Sequence, residues 1–349
     1  MDIKIRPYQK GDEKYLSVIL KKIYNKEVND EYWWWKYLKN PLGYHFAYCS
    51  IIDEHIVGFA GSVPYRIQYN GQEILGAQLT DLMVDPTIKG KNIFSPIKKA
   101  STADIMNKMD IMYGFTNENS YKIYNRTYDI AYTVPRMDRV LNIKPLIRGR
   151  VSLGIAASLL GTIGNFGLQT FQSTKSFFAT KKLDIEEIKE FDHRFDEFWK
   201  RISPNFDIMH IRDRRYLNWR YYQNPMFQYT TYVVHEENNI LGFIVLRDEL
   251  SKIKRGFILE FLAFPDRKDV QNFLLLKAVD HFSKLGVDVI KCWMFPHAPY
   301  YKIFGQHLFF PRSGNLIVLT TSFNEEKVSK TYLKTPLNWY ISCGDDESF

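Results

Sequence analysis

The sequence predicts an α/β fold built as two tandem domains, each a mixed, mostly antiparallel sheet flanked by helices. Short apolar runs with strand periodicity alternate with longer amphipathic stretches, which is typical of α/β domains. The chain has 349 residues, more than one hydrophobic core usually serves. An internal repeat is also present: at a shift of 184, residues 32–59 and 216–243 are identical at nine of 28 positions.

The first copy begins with a strand and two helices and continues with a series of strands. Turn signals separate them, including Asn40-Pro41 after the second helix and Asn70-Gly71 in a hairpin. The predicted strands are 3–8, 46–52, 56–62, 65–69, 73–84, 111–116 and 130–134, and the predicted helices are 14–24, 31–38, 93–108 and 117–126.

The second copy is predicted to begin with an amphipathic helix at 185–202. Its later elements are a central strand at 257–264, a helix at 272–285 and a strand at 287–293. Tyr301-Lys-Ile-Phe304 then aligns with Tyr121-Lys-Ile-Tyr124 at a shift of 180. The polar tail that follows contains four apolar residues expected to dock back, namely Leu337, Trp339, Tyr340 and Ile341.

These patterns divide the chain into a first domain at 1–145, a linker at 146–182, a second domain at 183–322 and a tail at 323–349. Within the linker, residues 151–172 carry no charge but contain four glycines. A membrane span needs about 20 strongly apolar residues, and the glycines make a span the least favoured interpretation. We favour a helical linker packed between the domains, with a peripheral contact with a membrane surface as the alternative.

Composition narrows the class of protein. The net charge of +8 is spread along the chain, and no nucleic-acid-binding motif accompanies it, so no nucleic-acid partner is expected. Three unpatterned cysteines, Cys49, Cys292 and Cys343, indicate reduced thiols. No His or Cys spacing suits a metal, and no signal peptide precedes the first strand. We therefore expect a cytoplasmic protein without a metal.

The segment 80–100 combines a strand, a short basic loop and a helix start. Lys89, Gly90, Lys91 and Asn92 lie between the strand and the helix. The first N–H groups of a helix lack intrahelical partners and the helix dipole favours negative charge there, so this arrangement predicts an anion site. An ordinary strand-to-helix connection with lysines on its surface is the alternative.

With these elements placed, the first copy resembles the GCN5-related N-acetyltransferase (GNAT) superfamily. The shared motifs are Arg6-Pro through Asp12 before a helix, 84–92 before another helix, and 117–124 after the fifth strand. The paired Trp-Lys/Arg-Tyr…Asn-Pro elements are similar to those of bacterial tandem acetyltransferases. The resemblance covers about 1–140 well and 183–322 more loosely, and it implies two tandem GNAT-like domains.

The resemblance implies acetyl-CoA as co-substrate and a set of contacts to it. Backbone groups of Met83 and Val84 would hold the pantetheine arm, with support from Asn117. The pyrophosphate would meet the five residues Lys89, Gly90, Lys91, Asn92 and Ile93. The family's phosphate loop has other residues where this chain has Thr87 and Asn92, which predicts weaker binding.

The resemblance also implies a direct attack of an amine on the thioester. Tyr124 is the candidate general acid for the leaving thiolate, because its phenol stands at the family's position. Asp81 is the candidate general base, being one step along the strand from the expected acetyl position. Glu73 and Glu118 are rivals for that role. The acceptor would be a small-molecule amine, such as an amino sugar.

The second copy is expected not to bind acetyl-CoA. Its corresponding loop, 265–270, has two acids and no glycine, which disfavours a phosphate. Phe304 replaces Tyr124 and has no hydroxyl. Trp35 recurs as Trp219 and is predicted to be a core residue, while a surface or ligand role stays open for Trp33 and Trp34.

The leading functional hypothesis is an acetyl-CoA-dependent N-acetyltransferase. One alternative is a Fem-like aminoacyl-tRNA-dependent transferase, which also uses tandem acetyltransferase folds. Another is a non-catalytic, membrane-associated binding protein of the same fold, motivated by the uncharged stretch 151–172.

Overall fold

The computed structural model describes residues 3–88, 92–116, 121, 130–142 and 183–349. Contacts divide the chain into two compact units. The first contains Met1–Thr133, Phe206–Phe227 and Asn315–Trp339, and the second contains Val134–Asn205, Gln228–Gly314 and Tyr340–Phe349. Each unit therefore includes segments from both halves of the sequence. The domain limits inferred from the repeat stay a prediction.

The described residues form the following helices and strands, given in chain order. They are β1 (Lys4–Pro7), α1 (Glu13–Tyr24), α2 (Asp30–Trp33), β2 (Phe46–Ile52), β3 (His55–Tyr69), β4 (Gln72–Val84), α3 (Phe94–Lys108), β5 (Ile111–Thr116), β6 (Ile130–Val140), β7 (Asp184–Ile188), α4 (Arg194–Ile202), β8 (Ile208–His210), α5 (Arg214–Leu217), β9 (Thr230–Glu236), β10 (Asn239–Leu250), β11 (Lys254–Ala263), α6 (Lys268–Lys284), β12 (Val289–Trp293), α7 (Tyr301–Gln306), β13 (Phe310–Ser322) and α8 (Lys330–Lys334).

The sheet of the first unit has the strand order β1-β2-β3-β4-β5-β13. All neighbours are antiparallel except β4 and β5, which run parallel. The last position is filled by Ile317–Ser322 of β13. Strand β8 pairs with the end of β3. The predicted mixed, mostly antiparallel sheet is confirmed.

The second unit repeats this arrangement. Its strand order is β7-β9-β10-β11-β12-β6, and again the single parallel pair lies at the fourth and fifth positions, here β11 and β12. The sixth strand of each unit thus comes from the other half of the sequence. Both sheets have a bulge in the fourth strand, at Thr80 in β4 and at Leu259 in β11.

Two predicted elements differ from the structure. The strands predicted at 56–62 and 65–69 form one long strand, β3. Pro64 is tolerated within it because, in the described chain, β3 pairs only with β4 at that point, so the missing N–H of proline breaks no hydrogen bond to a second neighbour. The helix predicted at 185–202 is wrong in its first part. Residues Asp184–Ile188 pair with β9, and the helix begins only at Arg194, after Asp192 accepts a hydrogen bond from its backbone N–H.

An ion pair explains the opening motif of the chain. Arg6 in β1 donates two hydrogen bonds to the Asp12 carboxylate, at 2.7 and 2.9 Å. Asp12 also accepts from the backbone N–H of Gln9. These bonds fix the turn between β1 and α1, since a bidentate guanidinium–carboxylate pair sets both distance and orientation.

Trp35 and Trp219 form a stacked pair inside the first unit. Their ring centroids lie 4.9 Å apart, and each indole N–H donates to the other residue's backbone carbonyl, at 2.7 and 3.0 Å. Both lie in short π-helical turns, Trp34–Leu38 after α2 and Asn218–Tyr222 after α5. The prediction that Trp35 is a core residue agrees with this burial.

The other two tryptophans of the cluster differ from one another. Trp33 is fully buried and stacks on Tyr37, so it has no surface role. Trp34 is half-buried and donates to the buried carboxylate of Glu13 at 2.7 Å. Three of the four tail residues expected to dock back are buried, Trp339, Tyr340 and Ile341, whereas Leu337 is 66% exposed.

Candidate active site

The site is centred on the place where two parallel strands separate. Strand β4 pairs with β5 from Gly76 to Leu79 and no further. Beyond that point β4 keeps its partner β3 on one side, through Asp81 to Val84. On the other side, the described chain offers these residues no strand. The sheet therefore opens in a V at the last four residues of β4.

The backbone groups that face this opening follow from the hydrogen-bond alternation. The N–H of Asp85 donates to the carbonyl of Val57 at 2.8 Å. Because facing residues of an antiparallel pair alternate between bonded and non-bonded positions, Met83 bonds to β3. The N–H and C=O groups of Leu82 and Val84 then point into the V. Val84 was predicted to contact the pantetheine arm of acetyl-CoA, and Leu82 was not.

A bulge re-aims the side chains just before the V. Gly61 faces Asp81 and Ser62 faces Leu79, so Thr80 is the extra residue. Asp81 shares its sheet face with Gly61, and a Cβ at Gly61 would lie 2.1 Å from the Tyr37 hydroxyl. The glycine therefore leaves space for that hydroxyl to reach Asp81.

Asp81 is held through one of its two oxygens. Its Oδ2 accepts a hydrogen bond from Tyr37 at 2.6 Å and lies 2.8 Å from Nζ of Lys36. Tyr37 also bonds Thr80 at 3.0 Å. Burial and the charge of Asp81 raise the pKa of Tyr37 well above its usual value, so its hydroxyl stays protonated. Oδ1 has no hydrogen-bond partner in the described chain, and 18% of the Asp81 side chain is exposed.

The opposite face of the sheet carries α3 and the segment expected to bind phosphate. A Cβ at Gly58 would lie 2.8 Å from Ile93, so glycine allows the helix start to pack on β3. Asn92, just before α3, accepts a hydrogen bond from the N–H of Ser95 in the first turn of the helix, at 3.2 Å. A small pocket beside the bulge is lined by Asp81 together with Lys98 of α3, whose pKa is lowered by burial.

Several predicted site residues fall outside the described part of the chain. They are Lys89, Gly90, Lys91, Asn117, Glu118 and Tyr124, together with the stretch 151–172. Glu73, the other rival base, lies at the opposite end of β4 and is paired with Arg66 at 2.8 Å. Eight residues of strand separate it from Asp81, about 26 Å.

Sequence patterns did not indicate three residues of this site, namely Leu82, Lys36 and Tyr37. Leu82 follows from the strand's two-residue period, once the outward direction of Val84 is known. The alignment of the two copies could have indicated the other two, because Lys36 and Tyr37 align with the similar residues Arg220 and Tyr221. What no pattern gives is the contact with Asp81, which is 44 residues from Tyr37.

In the second unit the equivalent strand edge is closed. Gly242 faces Ala263 just as Gly58 faces Val84, so Ala263 corresponds to Val84 and Phe261 to Leu82. The Tyr300 hydroxyl accepts from the N–H of Ala263 at 3.1 Å and donates to its carbonyl at 2.6 Å. A second hydroxyl, of Tyr340, donates to the carbonyl of Phe261 at 2.6 Å.

The loop after β11 is also occupied by its own side chains. Arg267 pairs with Asp269 at 2.8 Å and with Glu236 at 3.0 Å. The amide of Gln271 donates to the carbonyls of Phe264 and Pro265. The position aligned with Tyr300 in the first copy is Ser120, whose side chain is too short to act in the same way.

Two further properties concern the described residues as a set. They contain no group of three or more His, Cys, Asp and Glu side chains that could hold a metal ion. None of their helices is long and apolar enough to cross a membrane.

Part of the chain matches a known protein family. Residues 4–128 match the family model of the acetyltransferase (GNAT) domain. No curated protein matches the chain. Among solved structures, the N-myristoyltransferase of Saccharomyces cerevisiae with bound myristoyl-CoA has a TM-score of 0.60 at 14% identity, over 91% of this chain and 82% of that chain.

Two other solved structures are similar over most of their length. A probable N-acyltransferase of Enterococcus faecalis V583 has a TM-score of 0.63 at 14% identity, over 91% of this chain and 72% of that chain. A GCN5-related N-acetyltransferase from Anabaena variabilis has a TM-score of 0.64 at 11% identity, over 93% and 73%. At such identities these structures establish the fold, while the family match comes from the sequence. Residues 4–128 therefore match a GNAT domain in sequence, and the chain as a whole shares its fold with these acyltransferase structures.

Proposed function

We propose that the chain is an acetyl-CoA-dependent N-acetyltransferase that acts on a small-molecule amine, and that its first copy alone binds the donor. The observation that carries this proposal is the contrast between two equivalent strand edges. Backbone groups of Leu82 and Val84 face an opening that no described residue fills, whereas Tyr300 and Tyr340 occupy the same groups in the second copy.

The open edge suits the chemistry of the donor. The pantetheine arm of CoA is an extended chain with two amides, and such a chain can add to a free strand edge through backbone hydrogen bonds. The V also ends close to the start of α3, where Asn92 and Ile93 lie. The N-terminal end of a helix favours a pyrophosphate, and Lys89, Gly90 and Lys91 are proposed to complete that site.

Acetyl transfer then needs one proton acceptor and one proton donor. The acceptor's nitrogen attacks the thioester carbonyl, a C–N bond forms and the C–S bond breaks. Oδ1 of Asp81 is proposed to take the proton lost by the nitrogen. Tyr124 is proposed to give its phenol proton to the sulfur, with Asn117 supporting the arm. Exchange with solvent restores both groups.

Titration calorimetry with acetyl-CoA tests the proposal. We expect one binding site per chain. A Val84→Pro variant removes an N–H that β3 does not use, and it should weaken binding about tenfold, the equivalent of one hydrogen bond. Tyr300→Phe is the matched control in the second copy, with unchanged affinity and stoichiometry. No binding to the wild type, or loss of binding in Tyr300→Phe alone, would contradict the proposal.

A further inference from the structure

A buried lysine lies beside the candidate base. The side chain of Lys36 is 3% exposed, although a buried ammonium is costly unless it is paired. Its Nζ lies 2.8 Å from Oδ2 of Asp81 and donates to the Tyr32 hydroxyl at 3.4 Å. It also lies over the rings of Tyr32 and Tyr37, at 5.5 and 5.7 Å from their centroids. Lys36 does not border the strand edge assigned to the donor.

Lys36 and Tyr37 act on the same carboxylate oxygen. The Tyr37 hydroxyl reaches Oδ2 at 2.6 Å, so this oxygen receives two donors while Oδ1 receives none within the described residues. Two fixed donors on one oxygen set the orientation of the carboxylate.

We propose that Lys36 and Tyr37 are positioning residues for acyl transfer, which hold Asp81 by one oxygen so that the other oxygen meets the acceptor's nitrogen. This inference rests on the proposed function and on the role of Asp81 in it.

The other charged or titratable groups around Asp81 come from two further elements. Tyr24 at the end of α1 has a pKa raised by burial and by the charge of Asp81, so it is neutral near pH 7. Lys98 of α3 lines the pocket beside the bulge. Lys36 is the cation in direct contact with the carboxylate, at 2.8 Å, so its removal should disturb the orientation of Asp81 most.

A purely structural role makes a different prediction. The second copy has Arg220 and Tyr221 at the aligned positions, and Glu260 occupies the register position of Asp81. If the pair served folding alone, a folded variant without the ammonium would keep the wild-type kcat. If Lys36 orients Asp81, kcat must fall while the dissociation constant of acetyl-CoA stays the same.

The experiment compares Lys36→Met, Lys36→Arg and Tyr37→Phe with the wild type. CoA release from acetyl-CoA is followed at pH 7, with the most active amine of a panel of glucosamine, spermidine and tyramine as acceptor. We expect Lys36→Met to lower kcat about tenfold, and Tyr37→Phe to lower it as well. Lys36→Arg should restore kcat to within about threefold, because it restores the cation. The dissociation constant of acetyl-CoA should be unchanged in all three variants.

Each outcome decides the matter. Values of kcat for Lys36→Met and Tyr37→Phe that equal the wild-type value would overturn the inference. If Lys36→Met does not fold, Tyr37→Phe alone decides, since it keeps the buried ring and removes one donor to Oδ2. A wild-type protein that binds acetyl-CoA but acetylates no amine would instead refute the proposed function.

Discussion

A side chain at position 61 would occupy the space of the Tyr37 hydroxyl, because a Cβ built there lies 2.1 Å from that oxygen. Position 305 is a useful comparison, since a Cβ there meets nothing within 4 Å. The two glycines thus separate the need for space at the site from the general effect of replacing a glycine by alanine.

We predict that Gly61→Ala displaces Tyr37 and breaks its hydrogen bond to Asp81. The lost bond to a charged group should lower the free energy of unfolding by about 2 kcal/mol and kcat/KM by about tenfold. Urea unfolding and steady-state kinetics measure the two effects. Gly305→Ala should change neither by more than a small amount, and equal effects of both substitutions would contradict this explanation.

Residue identity could be predicted where a motif or a period fixed it. Asp81 was selected from its place on the strand and Val84 from the family motif, and the roles of both stay proposals. Lys36 and Tyr37 were not, because their roles depend on a bulge and on a glycine in a neighbouring strand. Neither feature has a sequence period.

At the scale of elements, the β1–α1 turn illustrates how an ion pair fixes a connection. Burial raises the pKa of Asp12, but the bonds from Arg6 and from the N–H of Gln9 outweigh it and lower the pKa below its usual value. A carboxyl with a lowered pKa in the folded state adds stability above its unfolded pKa, and this stability is lost as the pH falls.

We therefore predict that Arg6→Met destabilises the protein most near neutral pH. The free energy of unfolding should fall by about 2 kcal/mol at pH 7, and the difference from the wild type should shrink as the pH drops from about 5 to 3. Urea unfolding at several pH values measures this. A difference that stays constant over that range would contradict the assigned role of Asp12.

The Trp35–Trp219 pair makes a second prediction at this scale. Each ring stacks on the other and each indole N–H bonds the partner's carbonyl. Replacing either by alanine should cost about 3–5 kcal/mol of stability. The double variant should cost clearly less than the sum of both, because the two residues share one interaction. Additive costs in a double-mutant cycle would show that the pair is not coupled.

Elements were predictable where apolar spacing and turn residues agreed, as in β4, α3 and β5. The strand at the start of the second copy was not predictable in this way. Ile185 and Ile188 have a helical spacing of three, yet Asp184–Ile188 pairs with β9. Pairing with a distant strand outweighed local spacing there. Such a preference comes from tertiary structure and cannot be read from a short window.

At the scale of the whole molecule, one fold occurs twice, and the equivalent edges of β4 and β11 differ in the hydrogen bonds that their backbone groups make. The repeat was predicted from its register, including the glycines 58 and 242. The origin of the sixth strand of each unit in the other half of the sequence was not predicted, because strand order depends on long-range pairing. Nor could the sequence show that Tyr300 and Tyr340 satisfy the second strand edge.

We predict that acetyl-CoA raises the thermal stability of the chain. A ligand that binds only the folded state stabilises it by about 2.7 kcal/mol at 100 times its dissociation constant. Differential scanning fluorimetry with increasing acetyl-CoA should show a rising Tm. The same concentrations should stabilise Val84→Pro about half as much, since tenfold weaker binding leaves about 1.4 kcal/mol. Equal shifts for both proteins would place the ligand elsewhere.

The central claim is that acyl-CoA binds the open edge of β4 and not the closed edge of β11. Amide hydrogen exchange with and without acetyl-CoA tests it most directly, because exchange reports on individual backbone segments. We predict slower exchange in peptides covering residues 80–85 and no change in peptides covering residues 258–264. Protection confined to 258–264, with none at 80–85, would contradict the claim.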